Sequence, residues 1–114
     1  MNANRNRVEL LGHLGSDPDL KTTESGRKVA RLSVATNESY QNAKGEKVTD
    51  TQWHTVVAWG KHAEFSQNLK KGAEIYVEGK LQYGHYTDKD GIKRFTTEIQ
   101  ALNLDVPGKQ VPIP

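Results

Sequence analysis

The sequence predicts an all-β fold: five short strands curled into a Greek-key barrel, with one helix between the third and the fourth. Three observations predict it. Runs of alternating apolar and polar residues recur along the chain, each bounded by Gly, Asp, Asn or Pro, which is the period and punctuation of short strands. Only one segment, Lys61 to Leu69, spaces its apolar residues at helical intervals. At 114 residues and 34% hydrophobic content, the chain has room for one domain with one modest core.

The first strand is read from Arg7 to Leu14, closed by the turn residues Gly15-Ser16-Asp17-Pro18-Asp19. Gly12 inside it predicts a bulge or a tight bend. After a turn at Glu24-Ser25-Gly26-Arg27, the second strand runs from Val29 to Asn37. Ala30, Leu32, Val34 and Thr36 suit a core, while Arg31, Ser33, Ala35 and Asn37 suit water or a ligand. Gln41 to Asp50 is polar and is expected to be an exposed, mobile loop.

Thr51 to Lys61 holds both tryptophans in a β-branched run that reads as the third strand. Trp53, Thr55, Val57 and Trp59 share one face, with the indoles roughly 20 Å apart at strand rise, and His54, Val56 and Ala58 share the other. The helix follows, stopped by Lys70-Lys71-Gly72. Ile75, Val77, Gly79 and Leu81 alternate with Tyr76, Glu78, Lys80 and Gln82 to begin the fourth strand, which continues to Tyr86. A turn at Thr87-Asp88-Lys89-Asp90-Gly91 returns the chain as the fifth, Arg94 to Leu104. This is the element order of an OB-fold. Residues 1–105 are expected to form the domain, and the proline-rich residues 106–114 a flexible tail.

Composition narrows the function. The chain contains no cysteine, which excludes disulfides, thiol catalysis and thiolate metal sites. No window approaches the roughly 18 apolar residues of a membrane span, and Met1 to Arg7 lacks the apolar core of a secretion signal, so an intracellular, cytoplasmic protein is expected. The net charge is only +2, too mild for a duplex binder that relies on charge alone. His13, His54, His62 and His85 are scattered, and no metal or other cofactor is expected. Asp88-Lys89-Asp90-Gly91 lacks the later ligands of a calcium loop, Gly12-x-x-Gly15 is too short for a phosphate loop, and Asn37-Glu38-Ser39 matches a glycosylation acceptor but without a secretion signal. With no nucleophile beside a base and no acidic metal cluster, an enzyme is not expected. Two indoles on a strand with cations nearby suit the stacking of single-stranded bases. Core packing or a protein interface would use the same residues.

The residues also carry a resemblance. Leu11 to Leu20, Val34 to Tyr40, Thr51 to Val57, Lys71 to Leu81 and Phe95 to Glu98 each resemble a motif of the bacterial single-stranded DNA-binding protein family, in order over almost the whole chain. The resemblance implies an OB-fold that coats single-stranded DNA with little sequence preference in replication, recombination and repair, assembled as a homotetramer. By position it places stacking aromatics at Tyr40, Trp53, Trp59 and Tyr86, and His54 near a subunit contact. Basic residues frequent in the family at the positions of Thr55, Gln82 and Gly84 are missing. The family usually continues through a Gly/Pro/Gln-rich linker to an acidic tip that recruits repair proteins. This sequence stops at Pro114 before either, so recruitment is expected only where such a tip has been trimmed away.

Phosphate contacts are expected from Arg31, Lys61, Lys71, Lys80 and Arg94, on or beside the strands lining the groove, with Arg5 and Arg7 as weaker candidates. Tyr76 is read as packing or interface, and Phe65 and Phe95 as core. The alternative to DNA binding is a protein-interaction or replication-restart module on the same fold.

Overall fold

The computed structural model describes residues 5–107. The elements are β1 (Val8–Leu14), β2 (Asp19–Thr22), β3 (Lys28–Gln41), β4 (Lys47–Trp59), α1 (Lys61–Ser66), β5 (Glu74–Thr87) and β6 (Lys93–Asp105). The strands form one sheet in the order β1-β5-β6-β4-β3-β2, and a β1–β3 pairing closes five of them into a barrel. The expected OB-fold is present with one strand added. The short β2, whose residues carry no alternation, is zipped onto β3 by a turn from Thr23 to Arg27. The helix therefore lies between the fourth and fifth strands by number, in the same place along the chain.

The core is built from the positions that alternation selects: Ala30, Leu32 and Val34 of β3, Val56 and Ala58 of β4, Ile75 and Val77 of β5, and Ile99 and Ala101 of β6. Leu14 and Leu104 complete it, while Ala63 and Leu69 plug one end. The helix is shorter than its spacing predicts, because it gives way after Ser66 to turns that still deliver Leu69 to the core. Among the described residues, no helix is long and apolar enough to cross a membrane. Of the expected tail, residues 108–114 lie outside the described residues, and Val106 packs against the core.

Closure rests on two glycines. β1 pairs with β5 from Val8 to His13 and with β3 through His13 and Leu14. At Gly12, where it changes partner, a β-carbon would collide with the Ala35 carbonyl. Of the expected bulge or tight bend, the bulge is absent, since the register runs unshifted through Gly12, and the glycine serves a backbone crossing. The bulge lies at Glu78/Gly79, where a β-carbon would meet the Gln100 carbonyl.

The polar stretch from Gln41 to Asp50 is mostly strand. Glu38 to Gln41 pair with Lys47 to Asp50, leaving Asn42 to Glu46 as the turn. The Asn42 carboxamide accepts from the amides of Lys44 and Glu46 at 2.9 and 3.0 Å, and Asp88 repeats the device at the tip of β5–β6 with the amides of Asp90 and Ile92. Both faces of this outer ribbon are wet, so no apolar alternation marks it in the sequence. β4 and β6 run parallel but pair only at Val56 and Val57 with Ile99 and Gln100. Beyond that contact the β3–β4 and β5–β6 hairpins part as two arms.

Gly12→Ala is expected to lower stability by about 1–3 kcal/mol, because the obstruction is a backbone carbonyl. Urea unfolding followed by circular dichroism measures it, and unaltered stability would refute the crossing.

Candidate nucleic-acid interface

Trp59 ends β4 with its ring half-buried. It lines a hollow of about 230 Å³ with Val29, Arg31, Val57, Gln82, Glu98 and Gln100. The Arg31 guanidinium lies 2.5 Å from the Glu98 carboxylate, so the cation lining this hollow is already paired. A second cation, Arg27, covers Trp59 with its guanidinium carbon 4.4 Å from the ring centroid. The sequence reading did not select Arg27. Its nearness to Trp59 depends on the ladder that sets Val29 opposite Trp59, and a register is invisible in a single strand's pattern.

Trp53 shares the outward alternation of Trp59, yet it stands in different surroundings. It is 62% exposed. A β-carbon on Gly15 would collide with its six-membered ring, so the indole lies against the backbone of the turn after β1. Gly15 is a second residue that the sequence reading missed as part of the site. Trp53, His54 and Thr55 also form one wall of a cleft of about 180 Å³, whose other wall is Leu81, Thr97 and Ile99. His54 points inward, and its Nε2 lies 2.9 Å from the Thr36 hydroxyl.

The other expected residues divide between these surroundings. Lys80 is exposed opposite Gln100 and belongs by alternation with Gln82 to the Trp59 side. Lys61 opens α1, two residues after Trp59. Tyr86 and Arg94 are paired across β5–β6 near its tip, on the face that continues Gln82 and Glu98. The Arg94 Nε donates to Asp88 at 2.9 Å. The Asp88 carboxyl is held below its ordinary range chiefly by the Ile92 amide, then by Arg94. Lys71 sits in the turn after α1, its amide donating to Asp17 at 2.7 Å. Tyr40 is exposed near the tip of β3–β4, opposite Val48. Among the described residues no group of acidic and histidine side chains is arranged to hold a metal.

Two expectations are overturned. Phe65 is exposed on α1, because Ala63 and Ser66 take the buried positions of that short helix. Phe95 is 76% exposed, since β6 has already left the barrel where it lies. Tyr76, read as packing or interface, is half-buried, and its hydroxyl lies 3.1 Å from Glu9.

The model of the single-strand binding protein family matches residues 5–107. The chain is 43% identical over 105 residues to single-stranded DNA-binding protein 1 of Chlorobaculum tepidum, covering 90% of this chain and 65% of that one. It is 43% identical over 110 residues to single-stranded DNA-binding protein 1 of Xylella fastidiosa, covering 95% and 81%. Among solved structures, the Plasmodium falciparum SSB in complex with ssDNA superimposes with a TM-score of 0.78 at 31% identity, covering 92% of this chain and 96% of that one. A deletion mutant of the Thermus aquaticus single-stranded DNA binding protein gives 0.75 at 31% identity, covering 89% and 49%. The chain thus spans less than two thirds of the Chlorobaculum protein's length.

Gly15→Ala is expected to displace the Trp53 indole and leave the fold intact, since an exposed side chain yields more readily than backbone. In a Trp59→Phe background, where Trp53 is the remaining fluorophore, its emission should shift while the thermal midpoint holds. An unshifted spectrum would remove Gly15 from the site.

Proposed function

The chain belongs to the single-strand binding protein family, and we propose from this that it coats single-stranded DNA with little sequence preference, as a non-enzymatic cytoplasmic protein serving replication, recombination and repair. The observation that carries the reading is the exposure of Trp53. Trp53 leaves an indole in water against the Gly15 backbone, where a stacked base would cover it.

In this reading bases stack on Trp53, Trp59, Tyr40 and Tyr86, each contact contributing about 1–3 kcal/mol whatever the base, because every base has a π-face. Phosphates are taken by Arg31, Lys61, Lys71, Lys80 and Arg94. Two of these exchange one anion for another, since Arg31 leaves Glu98 and Arg94 leaves Asp88. Arg27 moves aside from Trp59 or lays its guanidinium on the incoming base. The binding domain runs through Val106, which packs against the core. Recruitment of repair proteins would require an acidic segment, which residues 106–114 do not supply.

The same reading includes assembly into a homotetramer. Among the described residues, Val8 to Gly12 pair with β5 on one side only, and an open edge is a template for a second copy. Leu11 at 56% and Leu102 at 54% exposure are the aliphatic side chains such contacts would cover.

Trp53→Ala and Trp59→Ala are each expected to weaken oligo(dT) binding by about 1–3 kcal/mol with unchanged circular dichroism. Affinity for the unmodified protein should fall with salt at a slope near −0.7 per phosphate contact, with duplex DNA binding far more weakly. Wild-type affinity in both variants would withdraw the stacking mechanism. Light scattering at micromolar concentration should give four times the chain mass, and a monomer would contradict the assembly.

A further inference from the structure

Three arginines each hold a carboxylate: Arg7 on Glu9 and Glu78, Arg31 on Glu98, and Arg94 on Asp88. Arg27 does not. Among the described residues its guanidinium has no acidic partner and lies over Trp59, 4.4 Å from the ring centroid. The β3–β4 ladder sets Val29 opposite Trp59. Arg27 precedes Val29 by two residues and Arg31 follows it by two, so the two cations flank the residue across from the indole.

The backbone of Arg27 is held at both of its polar groups. Its amide donates to the Thr23 hydroxyl at 3.1 Å, and its carbonyl accepts from the Thr23 amide at 2.8 Å. The Gly26 amide closes the same turn on the Thr23 carbonyl at 2.9 Å, with Gly26 at a φ of 89°. The exposed side chain is the part left to move. An exposed cation over an indole favours the covered arrangement by about two- to fivefold, so a base that takes this ring face must displace the guanidinium against that preference. Once displaced, Arg27 abandons no carboxylate. When Arg31 or Arg94 turns to a phosphate, Glu98 or Asp88 is left unpaired beside the polyanion, and its repulsion cancels part of the gain.

We infer that Arg27 is an exchangeable cover of the Trp59 platform: a base takes its place on the ring, and the freed guanidinium moves to a neighbouring phosphate. The inference rests on the DNA-binding reading above and adds to it a residue that sets the salt dependence of binding. Arg27 then has two opposed effects. It hinders stacking at Trp59 where salt screens the phosphates, and it strengthens binding where they are unscreened.

Salt titrations with oligo(dT) on unaltered and Arg27→Ala protein separate the two effects, with circular dichroism expected to be unchanged. The variant's slope should be shallower by about 0.7, which changes the ratio of the two affinities about fivefold over a tenfold range of salt. The lines should cross, the variant binding more weakly in dilute salt and about two- to fivefold more tightly in concentrated salt. Arg27→Lys should keep the slope, since the charge remains. In a Trp59→Ala background the gain at high salt should vanish, because no platform is left to uncover. In a Trp53→Phe background, where Trp59 is the remaining fluorophore, Arg27→Ala should raise acrylamide quenching of the DNA-free protein. Parallel salt lines, unchanged quenching, or a high-salt gain that survives Trp59→Ala would each overturn the cover and leave the DNA reading standing. Failure of the unaltered protein to bind oligo(dT) at all withdraws both.

Discussion

At Gly12 the backbone of β1 passes so close to the Ala35 carbonyl that no β-carbon fits, and there the strand leaves β5 for β3. The barrel shuts at this crossing. Because the opposite seam between β4 and β6 is only two residue pairs long, the same closure forces the long hairpins to diverge once past it. Each arm then has its backbone satisfied by its own partner strand and its side chains left to solvent. The exposed rings are a consequence of how little seam the barrel needs, and a longer β4–β6 ladder would bury Phe95 and close the Trp53 cleft.

The electrostatics follow from the same exposure. Arg31 sits on Glu98, Arg94 on Asp88, and Arg27 on the Trp59 ring, so these three cations are engaged before any polyanion arrives. A chain with a net charge of +2 holds these groups in place at little cost, since exposed pairs are weak and screened by salt. Each is therefore exchangeable. In the proposed function, stacking would supply affinity that does not depend on sequence, and exchange of carboxylate for phosphate would make binding sensitive to ionic strength.

Legibility varied along the chain for identifiable reasons. Ala30, Leu32 and Val34 were readable as core because their strand has one wet and one dry side. Glu38 to Gln41 and Lys47 to Asp50 were not readable as strand, since both sides of that ribbon are wet and alternation carries no signal there. Phe95 was misjudged for a related reason: it has the parity of a core residue, and parity cannot tell where along its strand the core ends. Arg27 and Gly15 were overlooked because each matters only through a tryptophan on another strand.

The order of residues by itself determined the strand periods, the turn at Asp88, the single helix and the outward alternation of both indoles, because these depend on neighbours a few positions away. Which hollow each indole occupies, which carboxylate each arginine holds and where the core stops were decided by the tertiary structure. Those depend on strand register and on the length of the β4–β6 seam, which are set by contacts between residues tens of positions apart.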